Sequence, residues 1–170
     1  MKILKYTGVF LVLIVASYFG LIFMAPSELT FQVNEDFNAS VDKVFSSMTD
    51  PLLLPQWVDG VDDVRTGSGH VLEVGGKFQV FYQGENSMVM DKVVLSFQPN
   101  ESYSTNGEIK DFFEWNEHIQ FKSLDTAHTR VSTFVTLKSL SNKSRLFMYA
   151  EETHKQNVAN NYIKLKSLIE

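Results

Sequence analysis

Between Phe37 and Val61 the chain reads FNASVDKVFSSMTDPLLLPQWVDGV. Ser40 offers a helix N-cap, and Asp42 follows in the first turn, where the helix dipole favours an acid. Val41, Val44, Phe45 and Met48 recur at i, i+3, i+4 and i+7, one apolar stripe of a short helix. Asp50-Pro51 breaks that helix, and Pro51 suits the first turn of a second short helix running towards Trp57.

On the N-terminal side of this stretch, Leu29, Phe31, Val33 and Phe37 alternate with Thr30, Gln32, Asn34 and Asp36, as in a half-buried strand. Strand patterns also follow it, over Val58–Thr66, Lys77–Tyr82, Met88–Phe97 and Ser102–Ile109. Phe113, Trp115, Ile119 and Phe121 then share one parity of a strand, and Val131, Thr133, Val135 and Leu137 one parity of the last. Gly67, Gly69, Gly75 and Gly76 punctuate the turns. Consecutive strands joined by short polar turns predict an antiparallel meander. The chain closes with a helical stretch, Asn142–Ile169, free of Gly and Pro. Its Val158, Tyr162, Leu165 and Ile169 fall at helical spacing, while Leu146 to Ala150 are apolar on more than one side. Such a helix needs a broad apolar surface, and the concave face of the sheet supplies it.

The 170 residues, 44% of them hydrophobic, suffice for one domain and are too few for two ordinary ones. With 14 Phe, 6 Tyr and 2 Trp a sizeable core or an apolar cavity can be built, and disorder is excluded on composition. Setting aside Lys2 and Lys5 leaves 13 of the 15 basic residues against all 20 acidic ones after Pro26. So acidic a body, without a Lys/Arg cluster, is a poor holder of a phosphate backbone, and no nucleic-acid partner is expected. The absence of Cys removes disulfides, Cys-ligated zinc, iron–sulfur clusters and thiol nucleophiles. No cofactor is expected.

From Tyr6 to Ala25 the sequence YTGVFLVLIVASYFGLIFMA carries no charge. As a helix it would span about 30 Å, the thickness of a bilayer's hydrocarbon core, and it has no polar face. Residues 1–26 are therefore expected to form a single-pass transmembrane signal anchor, and 27–170 the folded domain. Lys2 and Lys5 precede the apolar run and the next basic residue is Lys43. That asymmetry predicts a cytoplasmic N-terminus and a domain on the periplasmic or extracellular side. The alternative is a cleaved signal peptide, with Ala25-Pro26-Ser27 offering a cleavage site near Ser27 and a secreted or periplasmic product.

Strand, two short helices, about six strands and a long C-terminal helix form an order that resembles the helix-grip fold of the SRPBCC superfamily, which includes Bet v 1-like, START and polyketide cyclase/dehydrase proteins. The Phe37–Val61 stretch is similar to the superfamily's helix pair, with Val44, Phe45, Asp50, Pro51 and Trp57 at the matching places, and Val74-Gly75-Gly76-Lys77-Phe78 to its Gly turn. The resemblance implies an α+β fold, a curved antiparallel sheet wrapped around the last helix, enclosing an apolar cavity for a hydrophobic small molecule or lipid. These are packing motifs, and they carry no chemistry.

Candidate cavity-lining residues on the inner parity are Phe113, Trp115, Phe121, Val135 and Tyr162. Three acids share an apolar parity: Glu35 between Val33 and Phe37, Asp91 between Val89 and Val93, and Glu117 between Trp115 and Ile119. Buried, each would act as a polar anchor or general acid in an apolar pocket. The competing reading is a bulge that flips the parity, or a place at a wet mouth. His154, four residues before Val158, faces the sheet on helical spacing; a satisfied surface His is the plainer alternative. Met88 and Met90 offer adaptable lining or ordinary core. His70, His118, His128 and His154 show no metal spacing, and no G-x-S-x-G elbow occurs. The leading expectation is an anchored, exported binding module for a hydrophobic molecule or lipid. A cyclase/dehydrase-type enzyme working through Glu117, Glu35 or His154 is the alternative, and a ligand-free interaction domain the third.

Overall fold

The structure, a computed structural model, describes residues 2–67, 71–84 and 88–170, with side chains from Phe10 onward. Gly69 and His70 lie outside the described residues. The alternation seen in sequence becomes β1, Glu28–Phe37, which buries Leu29, Phe31, Val33 and Phe37 on one side. The capping stretch forms α2, Val41–Thr49, whose Val44, Phe45 and Met48 are buried. Asp50 accepts a hydrogen bond from the Leu52 N–H and opens a 3₁₀ turn, Pro51–Leu53, that leads into α3, Leu54–Trp57. Six strands follow: β2 (Val61–Thr66), β3 (Lys77–Tyr82), β4 (Val89–Gln98), β5 (Ser102–Ile109), β6 (Phe113–Ser123) and β7 (Thr129–Ser139). The seven strands form one antiparallel sheet in the order β1-β7-β6-β5-β4-β3-β2.

The expected helix 142–169 is divided. Ser144–Tyr149 is a 3₁₀ turn, and the α-helix, α4, runs only from Glu151 to Ile169. Local side-chain chemistry accounts for the break. The Ser144 hydroxyl is shared with the Ser139 and Ser141 hydroxyls and donates to the Ser141 carbonyl, so this segment's polar groups are met outside an α-helical ladder. Beyond it, α4 lies across the inner face of the sheet with Val158, Tyr162, Leu165 and Ile169 buried.

Strand register assigns the ends of the molecule. The starts of β1, β2, β4 and β6 and the ends of β3, β5 and β7 lie together, because Glu28 pairs with Lys138, Phe113 with Ser139, Asp91 with Glu108 and Val61 with Tyr82. At this end the Ser139 N–H donates to Ser27 O at 2.8 Å, and the Tyr149 hydroxyl donates to Leu21 O of α1, Lys2–Met24, at 3.3 Å. The first turn of α4 is here too, where the His154 ring lies 6.5 Å from that of Trp115. At the far end Glu170 accepts from the backbone N–H and side-chain amide of Asn38. Among the described residues no helix is long and apolar enough to cross a membrane. They therefore lend the expected span Tyr6–Ala25 no support; the side chains of Tyr6 to Val9 lie outside them.

Phe45 fixes α2 to the sheet, with its ring centroid 5.0 Å from Phe121 and 5.4 Å from Phe97, both edge-on. Its burial predicts that Phe45→Ala destabilises the domain by about 3–5 kcal/mol in chemical denaturation. A loss below about 1 kcal/mol would mean that α2 is not packed as described.

Candidate functional site

The four buried residues of α4 all lie from Val158 on; its first two turns, Glu151–Asn157, bury none. Over those two turns helix and sheet stand apart with little to fill the gap. A cavity of about 240 Å³ occupies it, walled by Val80, Met90, Ile109, Phe113 and Trp115 of the sheet and by Trp57 and Val58 beside α4. Its rim includes the exposed Asp59, Met88 and Asn157, so it opens at the α1 end of the sheet. Asp59 is drawn to α4 twice, its N–H donating to Asn161 Oδ1 at 2.9 Å and its carboxylate pairing with Lys164.

Polar groups interrupt the apolar wall. Lys92 Nζ lies 3.4 Å from Glu117 Oε2, the two side chains only 12% and 19% exposed. The pair bridges β4 and β6 across β5, passing over Gly107, which is opposite Lys92 on one side and Trp115 on the other. A Cβ at position 107 would fall 2.7 Å from Met90 Sδ and 3.3 Å from Lys92 Cγ, so glycine is what leaves room there. The Tyr82 phenol also faces the cavity, and burial, with the charge of Glu117 adding to it, pushes its pKa up to about 12. Burial likewise raises Tyr162, whose hydroxyl bonds to Thr133 Oγ1. The Trp57 indole N–H is buried with no partner among the described residues, and so is Thr105 Oγ1, opposite Glu117 in the β5/β6 register. Each such atom carries a desolvation cost, and of the two only Trp57 belongs to the cavity lining.

Of the residues singled out from sequence, Phe113, Trp115, Glu117, His154 and Tyr162 line this cavity together, as do Met88 and Met90. Phe121 and Val135 lie on the same face of the sheet but in its solid part, outside the lining. Glu35 faces inward, yet α4 reaches it with Lys166 and the ion pair stands away from the cavity. The placement of Asp91 is corrected. Val89, Asp91 and Val93 point outward, Met90, Lys92 and Val94 inward, and Asp91 accepts from Gln79 Nε2 at 2.7 Å on the outer face. Both faces of β4 carry apolar residues there, so alternation alone chose the wrong one. Lys92 was missed for the same reason. His154 donates through Nε2 to Phe147 O at 3.1 Å. A second hollow, about 530 Å³, opens on the outer face beside Arg65, Lys77, Gln79, Asp91 and Glu108, and its exposed charged walls suit an apolar molecule poorly. Among the described residues no group of three or more His, Asp or Glu side chains is placed to hold a metal ion.

The family model described as "Activator of Hsp90 ATPase homolog 1-like protein" matches residues 38–168. No curated protein matches the chain in sequence. Among solved structures, a Staphylococcus aureus protein of unknown function is similar at 15% identity and a TM-score of 0.66, over 84% of this chain and 93% of its own. Ara h 8.0201 is similar at 10% identity and a TM-score of 0.65, over 84% and 97%. The di-domain ARO/CYC StfQ from the steffimycin biosynthetic pathway reaches a TM-score of 0.66 at 10% identity, over 84% of this chain and 50% of its own. At these identities the likeness is one of fold, and the seven-stranded antiparallel sheet with its C-terminal helix fits the helix-grip fold.

The raised pKa of Tyr82 gives a direct check on its burial. Its phenol stays protonated until about pH 12, so Tyr82→Phe leaves the rise in phenolate absorbance between about pH 9 and pH 11 unchanged. Loss of one residue's share of that signal would place the ring in water.

Proposed function

The chain belongs to the family described as Activator of Hsp90 ATPase homolog 1-like protein, and on that footing we propose that it is a binding module holding a hydrophobic small molecule or a lipid chain between its sheet and α4. One observation carries the reading: the apolar cavity over the first turns of α4, open at one end. Its volume of about 240 Å³ is just below the roughly 300–1,000 Å³ of sites for drug-sized ligands. One aliphatic chain or a small ring system suits it, and a whole two-chain phospholipid does not. A cyclase or dehydrase has less in its favour. Glu117 is engaged by Lys92, His154 by the Phe147 carbonyl, and Glu35 lies outside the cavity.

The proposal includes a membrane anchor at residues 1–26, with the N-terminus cytoplasmic and 27–170 exported as the folded domain. Along α1 the side chains of Phe10, Leu11, Val12, Leu13, Phe19 and Phe23 stand free of the domain, Phe10 66% and Phe23 84% exposed. Exposed apolar surface on that scale needs a cover. Lys2 and Lys5 on one flank favour the stated orientation.

Two measurements test these statements. Native mass spectrometry of the full chain, released from amphipol, is expected to find a bound apolar mass that Val158→Phe, which fills the cavity, removes. Ligand-free protein in both forms would leave an interaction domain with no carrier role. For the anchor, protease added to spheroplasts expressing the full chain should digest the domain while the N-terminus stays protected. Complete protection of the domain overturns the orientation, and a mature product beginning near Ser27 replaces the anchor with a cleaved leader.

A further inference from the structure

We propose that the cavity selects a neutral, hydroxyl-bearing apolar molecule over an acid or an amine of the same skeleton, and that the Lys92–Glu117 pair reads the polar group. This rests on the cavity being a ligand site.

The ammonium and carboxylate sit 3.4 Å apart in the cavity wall, both largely withdrawn from water. Lys92 has three N–H donors, and Glu117 is its only hydrogen-bond partner among the described residues. A hydroxyl placed beside the pair accepts from Lys92 and donates to Glu117 at once, and the charges stay balanced. A carboxylate must instead share Lys92 with Glu117. It brings a second negative charge into a poorly solvated place, where an uncompensated charge is costly. An ammonium fails in the mirror sense, beside Lys92. The unmet polar atom of the same wall, Trp57 Nε1, is neutral and offsets neither charge. The pair is built into the fold rather than laid on its surface. Lys92 crosses β5 where Gly107 has no side chain, and Phe78 lies under its ammonium with 6.0 Å between Nζ and the ring centroid.

The two tryptophans of the chain, Trp57 and Trp115, both line the cavity, so their emission reports its occupation. The experiment titrates the full chain in amphipol with 1-octanol, octanoate and octylamine, three probes alike but for the headgroup. The Val158→Phe protein serves as the blank for partition into the amphipol. Wild type is expected to bind octanol about tenfold or more tightly than either charged probe. Glu117→Gln leaves Lys92 without its carboxylate and moves octanoate to the top of the ranking. Lys92→Met leaves Glu117 alone and moves octylamine there. Circular dichroism of both variants separates a changed ranking from a lost fold. Octanoate binding wild type as tightly as octanol, or a ranking unmoved by Glu117→Gln in folded protein, overturns the inference while the cavity stands as a binding site. If no probe binds wild type or either variant above the blank, the cavity reading fails and this inference with it.

Discussion

The contact between Tyr162 and the sheet sets the height of α4, and the cavity exists because of that height. Tyr162 is 2% exposed, its ring edge-on to Phe37 at 6.0 Å and tilted against Trp57 at 6.4 Å. A phenol so deep in a core would be costly if its hydroxyl were unmet, and Thr133 on β7 meets it. Towards the C-terminus, Leu165 and Ile169 fill the space between helix and sheet. Towards the N-terminus only Val158 continues the stripe, and His154 and Asn157 replace the large apolar residues that would close the gap. A helix pinned at its middle by one large side chain therefore holds open the part of the interface it does not fill.

Much of this was legible in the sequence, and the exceptions have physical causes. Alternation along β1, β6 and β7 identified the buried faces, because their outward residues, Phe134 apart, are polar. The Ser40 to Trp57 stretch was legible as two helices from its apolar spacing and Pro51, and Ser40 stands at the N-cap of α2 without a side-chain hydrogen bond there. Alternation failed on β4, where Val89 and Val93 face outward opposite Met90 and Val94, and where Leu95 enters as an extra residue at a register shift. Two apolar faces carry no parity signal, so Asp91 was placed inside and Lys92 was overlooked. Glu35 illustrates a different gap. Its inward parity was read correctly, but its partner Lys166 comes from 131 residues away, and nothing local announces the pair. The break before α4 was invisible because it arises from serine hydroxyls meeting one another across Ser139, Ser141 and Ser144, without Gly or Pro.

A buried ion pair such as Lys92–Glu117 is a weak source of stability, since withdrawing two charges from water offsets most of their attraction. An apolar pair of similar volume would serve the packing at least as well. Its presence in an otherwise hydrophobic wall, spanning two strands over a glycine, is therefore not accounted for by packing energy alone. The Trp57 N–H, in the same wall, is likewise a polar group that packing alone leaves unpaired.

The direction in which the cavity opens ties the domain to the segment that precedes it. The sheet end that holds the mouth is also where β1 begins, where Ser27 meets Ser139, and where Tyr149 touches α1 at Leu21. Ala25, Pro26 and Ser27 alone separate Met24 from Glu28, a connection able to span about 14 Å at most. Were α1 to lie in a bilayer, as proposed, so short a tether would hold this end of the sheet near the membrane surface. The exposed Phe147 and Tyr149 lie at that same end, between the helix and the rim. An apolar molecule leaving the bilayer would then meet apolar side chains along a short path into the cavity, and an opening at the opposite end would have required it to cross the length of the domain through water.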